Sequence, residues 1–201
     1  MAQRTGLGRR ELNKLQTREA LLNAARDAFV ENGTFTTIDE IADRALVSRA
    51  TFFNYFPSKD ELLGALYDEL VVRLEEVVEE LLARDLGTGE RIAEVFLDFA
   101  QRASGRSKFL LAFTAELDRA ATIEQVGERS EHLRGLLARI LQAGREAGDL
   151  RTDYPVEFLA QMVAGMYLAA MQHGWASSGG PGLVEEFRAA GRFAAEAIAP
   201  R

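Results

Sequence analysis

Residues 36–59, TTIDEIADRALVSRATFFNYFPSK, constrain this chain more than any other stretch because they mark their own helix boundaries. Thr37 followed three residues later by Glu40 forms a capping box, in which hydroxyl and carboxylate satisfy the unpaired N–H groups that open a helix. Ile38, Ile41, Ala42 and Ala45 then recur at helical spacing and give one apolar stripe. Leu46 and Val47 bridge to Ser48, a good N-cap for a second helix over 49–56. On that helix Phe52 and Phe56 lie one turn apart and face inward, while Ala50, Thr51 and Asn54 project the opposite way. Pro57 cannot continue the helix, and Ser58 with Glu61 opens a longer one. Two short helices, a three-residue turn and a small, partly polar outer face have helix-turn-helix geometry, sized for the major groove of DNA.

The rest of the chain reads as helices. Residues 1–14 predict a basic arm in which Arg4, Arg9, Arg10 and Lys14 reach a minor groove or phosphates; an ordinary disordered terminus reads equally well. A first helix over 17–32 carries Leu21, Leu22, Ala25, Ala28 and Phe29 and stops at Gly33, and Phe35 is expected to plug the small core. A helix over 59–83 has Leu62, Leu66, Leu70, Leu74, Val77 and Leu81 inside and Glu75, Glu76, Glu79 and Glu80 outside. Its first turn touches the head and its far end enters the body, which makes it the mechanical link. Five more helical patterns follow, over 90–103, 107–120, 123–148, 156–176 and 183–199. No strand pattern or internal repeat stands out. The expected fold is all-α: a three-helix head over 1–58 and a helical body over 59–201, about nine helices in total.

Charge separates the same two parts. The net charge of −7 at first argues against a DNA binder. Residues 1–59, however, hold nine Lys/Arg against seven Asp/Glu, whereas 60–201 hold fifteen against twenty-four. Phosphate attraction is therefore local to the head, and the acidic body repels DNA. The chain has no cysteine, which excludes disulfides, thiolate metal sites and Cys nucleophiles. No signal peptide is evident, and the apolar run 158–171 is too short to span a bilayer and carries Gln161. A cytoplasmic chain is expected.

TTIDEIADRALVSRATFFNYFPSKDELL resembles the DNA-binding signature of the TetR family of bacterial transcriptional regulators, matching at Thr37, Ile41, Ala42, Val47, Ser48, Thr51, Phe52, Tyr55, Phe56, Lys59 and Leu62. Two positions depart from it. Leu46 stands where the family usually has Gly, which requires a strained or altered turn. Phe53 stands where a Tyr hydroxyl often reaches a phosphate. The resemblance implies a ligand-responsive regulator, most often a repressor, that binds double-stranded DNA as a homodimer and has no catalytic site. Arg49, Ala50, Thr51 and Asn54 would face base edges, with Arg49 suited to guanine and Asn54 to adenine. Thr37, Ser48, Tyr55 and Lys59 would grip phosphates, with Phe53 beside them.

The resemblance also implies a small-molecule cavity in the body. Its candidate lining is Phe96, Phe99, Phe113, Glu116, Leu117, Met162, Met166 and Tyr167, and its effector is lipophilic or aromatic. Plain core packing is the competing reading for each of these residues, and solvent or an Arg partner is the competing reading for Glu116. Helix 156–176 has two apolar stripes, Phe158, Met162, Gly165, Met166, Ala169 and His173 against Leu159, Val163, Tyr167, Ala170 and Gly174. The last helix presents Val184, Phe187, Ala190, Gly191, Ala194 and Ile198. Surface this broad needs more than one neighbour, and the resemblance implies a second copy packed through the last two helices; the alternative is that both faces are internal core.

Two other classes fit less well. A di-iron bundle enzyme needs Glu three residues before each His, but Arg129 precedes His132 and Ala170 precedes His173. No HExxH or phosphate loop is present, so no metal or cofactor is expected. A protein-only adaptor leaves the basic arm and the outer face of 49–56 unexplained.

Overall fold

The computed structural model describes residues 8–104, 107–177 and 180–200. Among them lie nine α-helices and one short 3-10 turn, and no strand. Arg4 of the expected arm lies outside the described residues, as do the side chain of His173 and residues 178–179 of the last loop.

The head begins earlier than its periodicity suggests. Helix α1 spans Arg9–Asn32, so Arg9, Arg10 and Lys14 ride on a helix rather than a loose arm. Glu11 accepts a hydrogen bond from the N–H of Gly8 at 3.0 Å and closes its first turn. After the 3-10 turn Gly33–Phe35 come α2 (Ile38–Arg44) and α3 (Arg49–Tyr55). Leu21, Leu22, Phe29, Ile41, Phe52 and Phe56 form the head core, joined by Leu62 from the next helix. Phe35 does not plug it: the ring is 87% exposed, because the 3-10 turn carries it outward and Phe29 already fills the space.

The turn between α2 and α3 explains the departure at position 46. The N–H of Val47 donates to the carbonyl of Ala42 at 3.0 Å, and that of Leu46 donates to Asp43 at 3.0 Å. This pair of bonds is a Schellman closure, which places Leu46 at the position glycine usually takes. Leu46 accordingly has φ 58° and, at 92% exposure, gains nothing from packing.

Helix α4 (Lys59–Ala83) passes from head to body without a break. In the body, α5 (Thr88–Ser104) is central and packs against α4, α6, α7 and α9. Helix α6 (Ser107–Ala120) lies against α1 and the 3-10 turn of the head as well as against α4 and α5. Helix α7 (Ile123–Ala147) ends at Gly148, whose φ of 78° is the left-handed stop. Helices α8 (Val156–Ser177) and α9 (Gly180–Ile198) complete the body.

Those last two helices divide their faces differently. On α8 the stripe Leu159, Val163, Tyr167 and Ala170 is buried, while Phe158, Met162, Gly165 and Ala169 of the other stripe are exposed, with Met166 half-buried. On α9 the expected docking stripe faces inward: Phe187, Ala194 and Ile198 are buried within the chain. Gly191 lets α9 settle onto α5, since a Cβ there would stand 3.0 Å from that of Phe96. The outward apolar side chain of α9 is Phe193, 63% exposed, with Ala189 one turn before it.

Candidate nucleic-acid interface and effector cavity

The first turns of α2 and α3 are fixed by their caps. Thr37 accepts from the N–H of Glu40 at 3.3 Å, and Glu40 accepts from the N–H of Thr37 at 2.8 Å. Ser48 accepts from the N–H of Thr51 at 3.0 Å and shares a 2.8 Å hydroxyl contact with the Thr51 side chain. Both hydroxyls are thus engaged in capping and remain exposed at the same surface. Arg49, Ala50, Phe53 and Asn54 are exposed together on α3, Thr51 is half-buried, and Tyr55 packs its ring partly against the core. The Arg49 guanidinium meets Asp39 at 2.5 Å and lies 5.4 Å from the centroid of the Phe53 ring. Phe53 therefore supports the arginine that the sequence offers as guanine reader.

Lys59 points the other way. Its Nζ donates to the carbonyl of Thr36 at 2.8 Å and to Glu116 Oε2 at 2.8 Å, and lies 5.4 Å from the Phe29 ring centroid. The expected phosphate contact is replaced here by an internal ion pair, because α6 brings a carboxylate beneath the start of α4. Glu116 also accepts from Arg119 Nε at 3.1 Å and Nη2 at 2.9 Å. The hydrogen bonds from Arg119, then those from Lys59 and the two positive charges, outweigh burial and hold the carboxyl down at about 2. Glu116 pairs with cations and is not among the residues that line the cavity.

That cavity, about 450 Å³, lies among α4, α5, α6, α7 and α8, with Arg26 of α1 also in its lining. Its size is typical of small-molecule sites, which run to roughly 300–1,000 Å³. Of the candidate lining residues, Phe99, Leu117 and Tyr167 face it. Phe96, Phe113, Met162 and Met166 do not: Phe96 joins Phe99, Tyr167 and Phe187 in an aromatic cluster, Phe113 stacks on Phe109, and Met162 faces outward. The walls that sequence reasoning missed come from α4 (Leu66, Tyr67, Leu70, Leu74) and α7 (Val126, Arg129, His132, Leu133). A sequence signal existed in Leu70 and Leu74, which continue the inner stripe of α4 yet are left incompletely covered. Burial raises the Tyr167 phenol strongly and the Tyr67 phenol less so, so both hydroxyls stay protonated and can donate to a ligand.

A reading helix on a capped turn, joined by one continuous helix to a largely apolar cavity, defines a DNA-binding regulator that responds to a small molecule. Residues 21–66 match the model of bacterial regulatory proteins of the tetR family. Thermus thermophilus FadR, a TetR-family transcriptional repressor solved with lauroyl-CoA, is 32% identical, with 92% of this chain and 96% of that one covered and a TM-score of 0.70. The fatty acid metabolism regulator protein of Bacillus subtilis is 26% identical over 149 residues, 72% of this chain and 76% of that protein. The Tn10 TetC protein of Escherichia coli is 35% identical over 92 residues, which spans 43% of this chain and 46% of TetC. The chain belongs to the TetR family of bacterial transcriptional regulators, which bind DNA as dimers and take small-molecule effectors. Among the described residues no helix is long and apolar enough to cross a membrane.

Proposed function

We propose that the chain is a repressor released from its operator by a long-chain acyl ligand. Its reading head spans residues 1–58 and its effector and dimer body residues 59–201, acting in the cytoplasm beside the chromosome. Arg49 and Asn54 read base edges together with Ala50 and Thr51, while Thr37, Ser48, Phe53 and Tyr55 meet the backbone. Arg49 exchanges Asp39 for guanine on binding. The exposed stripe of α8 and Phe193 of α9 pack against their copies, placing two heads on one two-fold site.

The observation that carries this reading is the cavity itself. Its walls are largely hydrocarbon, from Leu66, Leu70, Leu74, Leu110, Leu133 and Leu168, and two of its walls, α4 and α6, also touch the head. A ligand that wedges these helices apart shifts the population toward a head spacing that no longer fits the operator. The lauroyl-CoA held by the Thermus thermophilus relative supports an acyl chain as the occupant. Gel shift with the DNA upstream of the gene, with and without lauroyl-CoA, tests it. Retarded DNA should be freed by micromolar lauroyl-CoA; a complex indifferent to it at saturation refutes the acyl reading.

A further inference from the structure

Four arginines and one histidine line the cavity: Arg26, Arg73, Arg102, Arg129 and His132. Four of them face a carboxylate. Arg26 pairs with Glu69, Arg73 with Glu76 at 2.9 Å, Arg102 with Asp98, and His132 lies 3.3 Å from Glu75. Arg129 has no carboxylate in ion-pair range among the described residues. Its Nη1 makes one long bond, 3.4 Å, to the carbonyl of Leu117, and its guanidinium lies 5.0 Å from the Tyr67 ring centroid. A guanidinium carries five N–H donors, so most of the hydrogen-bonding capacity of Arg129 is unused by the protein.

The placement is directional. Contacts between α4 and α7 advance together along both helices: Tyr67 meets Arg129, Glu75 meets His132, and Glu79 meets Arg139. The two helices therefore run parallel, and the Tyr67–Arg129 pair marks one end of the shared wall. Leu70 and Leu74 on α4, and Leu133 on α7, continue it as hydrocarbon one to two turns further on. One end thus offers a cation without a carboxylate partner beside a phenol, and Leu70, Leu74 and Leu133 give an alkyl chain an apolar wall beyond it.

We propose that Arg129, assisted by the Tyr67 hydroxyl, binds the oxyanion head of the acyl ligand and so selects anionic lipids over neutral ones of equal length. This rests on the acyl-effector reading above. Guanidinium pairs with carboxylate and phosphate alike, so the head is either the carboxylate of a free fatty acid or a phosphate of the coenzyme A portion. The Tyr67 phenol, kept protonated by its burial, supplies a second donor.

The test measures binding of dodecanoate, lauroyl-CoA and dodecanol to the full chain and to Arg129→Ala and Arg129→Lys, by displacement of a fluorescent fatty-acid analogue. The wild type should prefer the anions to dodecanol. Arg129→Ala should lose affinity for an anion by about tenfold or more, the worth of a charge-assisted bond, and keep that for dodecanol. Arg129→Lys should fall between them. A loss on dodecanoate supports a carboxylate head, and a loss confined to lauroyl-CoA supports a phosphate. Unchanged discrimination in Arg129→Ala, with dodecanol binding showing that the cavity is intact, overturns the assignment of Arg129 alone. If no probe binds the wild type, the acyl reading falls and this inference with it.

Discussion

Replacing Glu116 by Ala should damage the joint between head and body. Its carboxylate, 3% exposed, holds Lys59 at 2.8 Å, and Lys59 in turn holds the backbone of Thr36 in the head. Breaking a buried ion pair by removing one member costs about 3–5 kcal/mol, because the other charge is stranded. Lys59 is 19% exposed and keeps its bond to Thr36, so part of that is recovered and about 2 kcal/mol is expected. At this chain length that lowers Tm by about 4–8 °C. The pH dependence gives a second, signed test. The folded carboxyl titrates at about 2 against an ordinary 4.5, so its contribution is complete above 4.5 and is lost as pH falls toward 2. The full shift corresponds to about 3 kcal/mol, trimmed to about 1–2 because the covering Arg119 is largely in solvent. Urea unfolding of wild type and Glu116→Gln at pH 6 and pH 3 should show a gap that narrows on acidification. A gap below about 0.5 kcal/mol at pH 6, or one independent of pH, would refute the reasoning, since that is the scale of an ordinary surface change. Leu117, the next residue, lines the cavity, so Glu116→Ala should also reduce the effect of bound lauroyl-CoA on operator affinity.

Two further substitutions test the turn and the dimer. Leu46→Gly removes a left-handed penalty of about 1–2 kcal/mol and adds about 0.5–1 of chain entropy, so stability should rise by about 0.5–1 kcal/mol in urea titration; a fall would mean that the exposed leucine makes an unseen contact. Met162→Lys with Phe193→Asp places charges on the outward faces of α8 and α9, and should raise the dimer dissociation constant about thirtyfold or more in sedimentation while monomer helicity is retained. A dimer of unchanged strength would move the interface elsewhere.

What the sequence revealed was local, and what it concealed was the identity of each neighbour. Thr37, Ser48 and Ser58 announce their helices because a cap and its N–H lie within three residues of each other, and the structure has all three bonds. The two stripes of α8 were legible for the same reason: periodicity reports how many faces are apolar, and one did turn inward while the other stayed open. Periodicity does not report what a face meets. The stripe containing Gly191 reads as a docking surface for a second chain, yet α5 of the same chain occupies it. Lys59 reads as a phosphate grip because its carboxylate partner lies 57 residues away, beyond any local rule. The cavity is the extreme case of this limit. Leu70 and Leu74 have the same spacing whether a side chain or a void lies opposite them, so of the lining candidates chosen for aromatic or thioether character only Phe99 and Tyr167 reach the void, while Phe96 and Phe113 are packed core and Met162 faces outward. The feature that marks the void is instead an imbalance of partners: apolar side chains left part-exposed on an inward face, and one lining arginine, Arg129, with no carboxylate partner among the described residues. Only the folded arrangement can bring those facts together, because they are distributed over α4 and α7 and each is unexceptional alone.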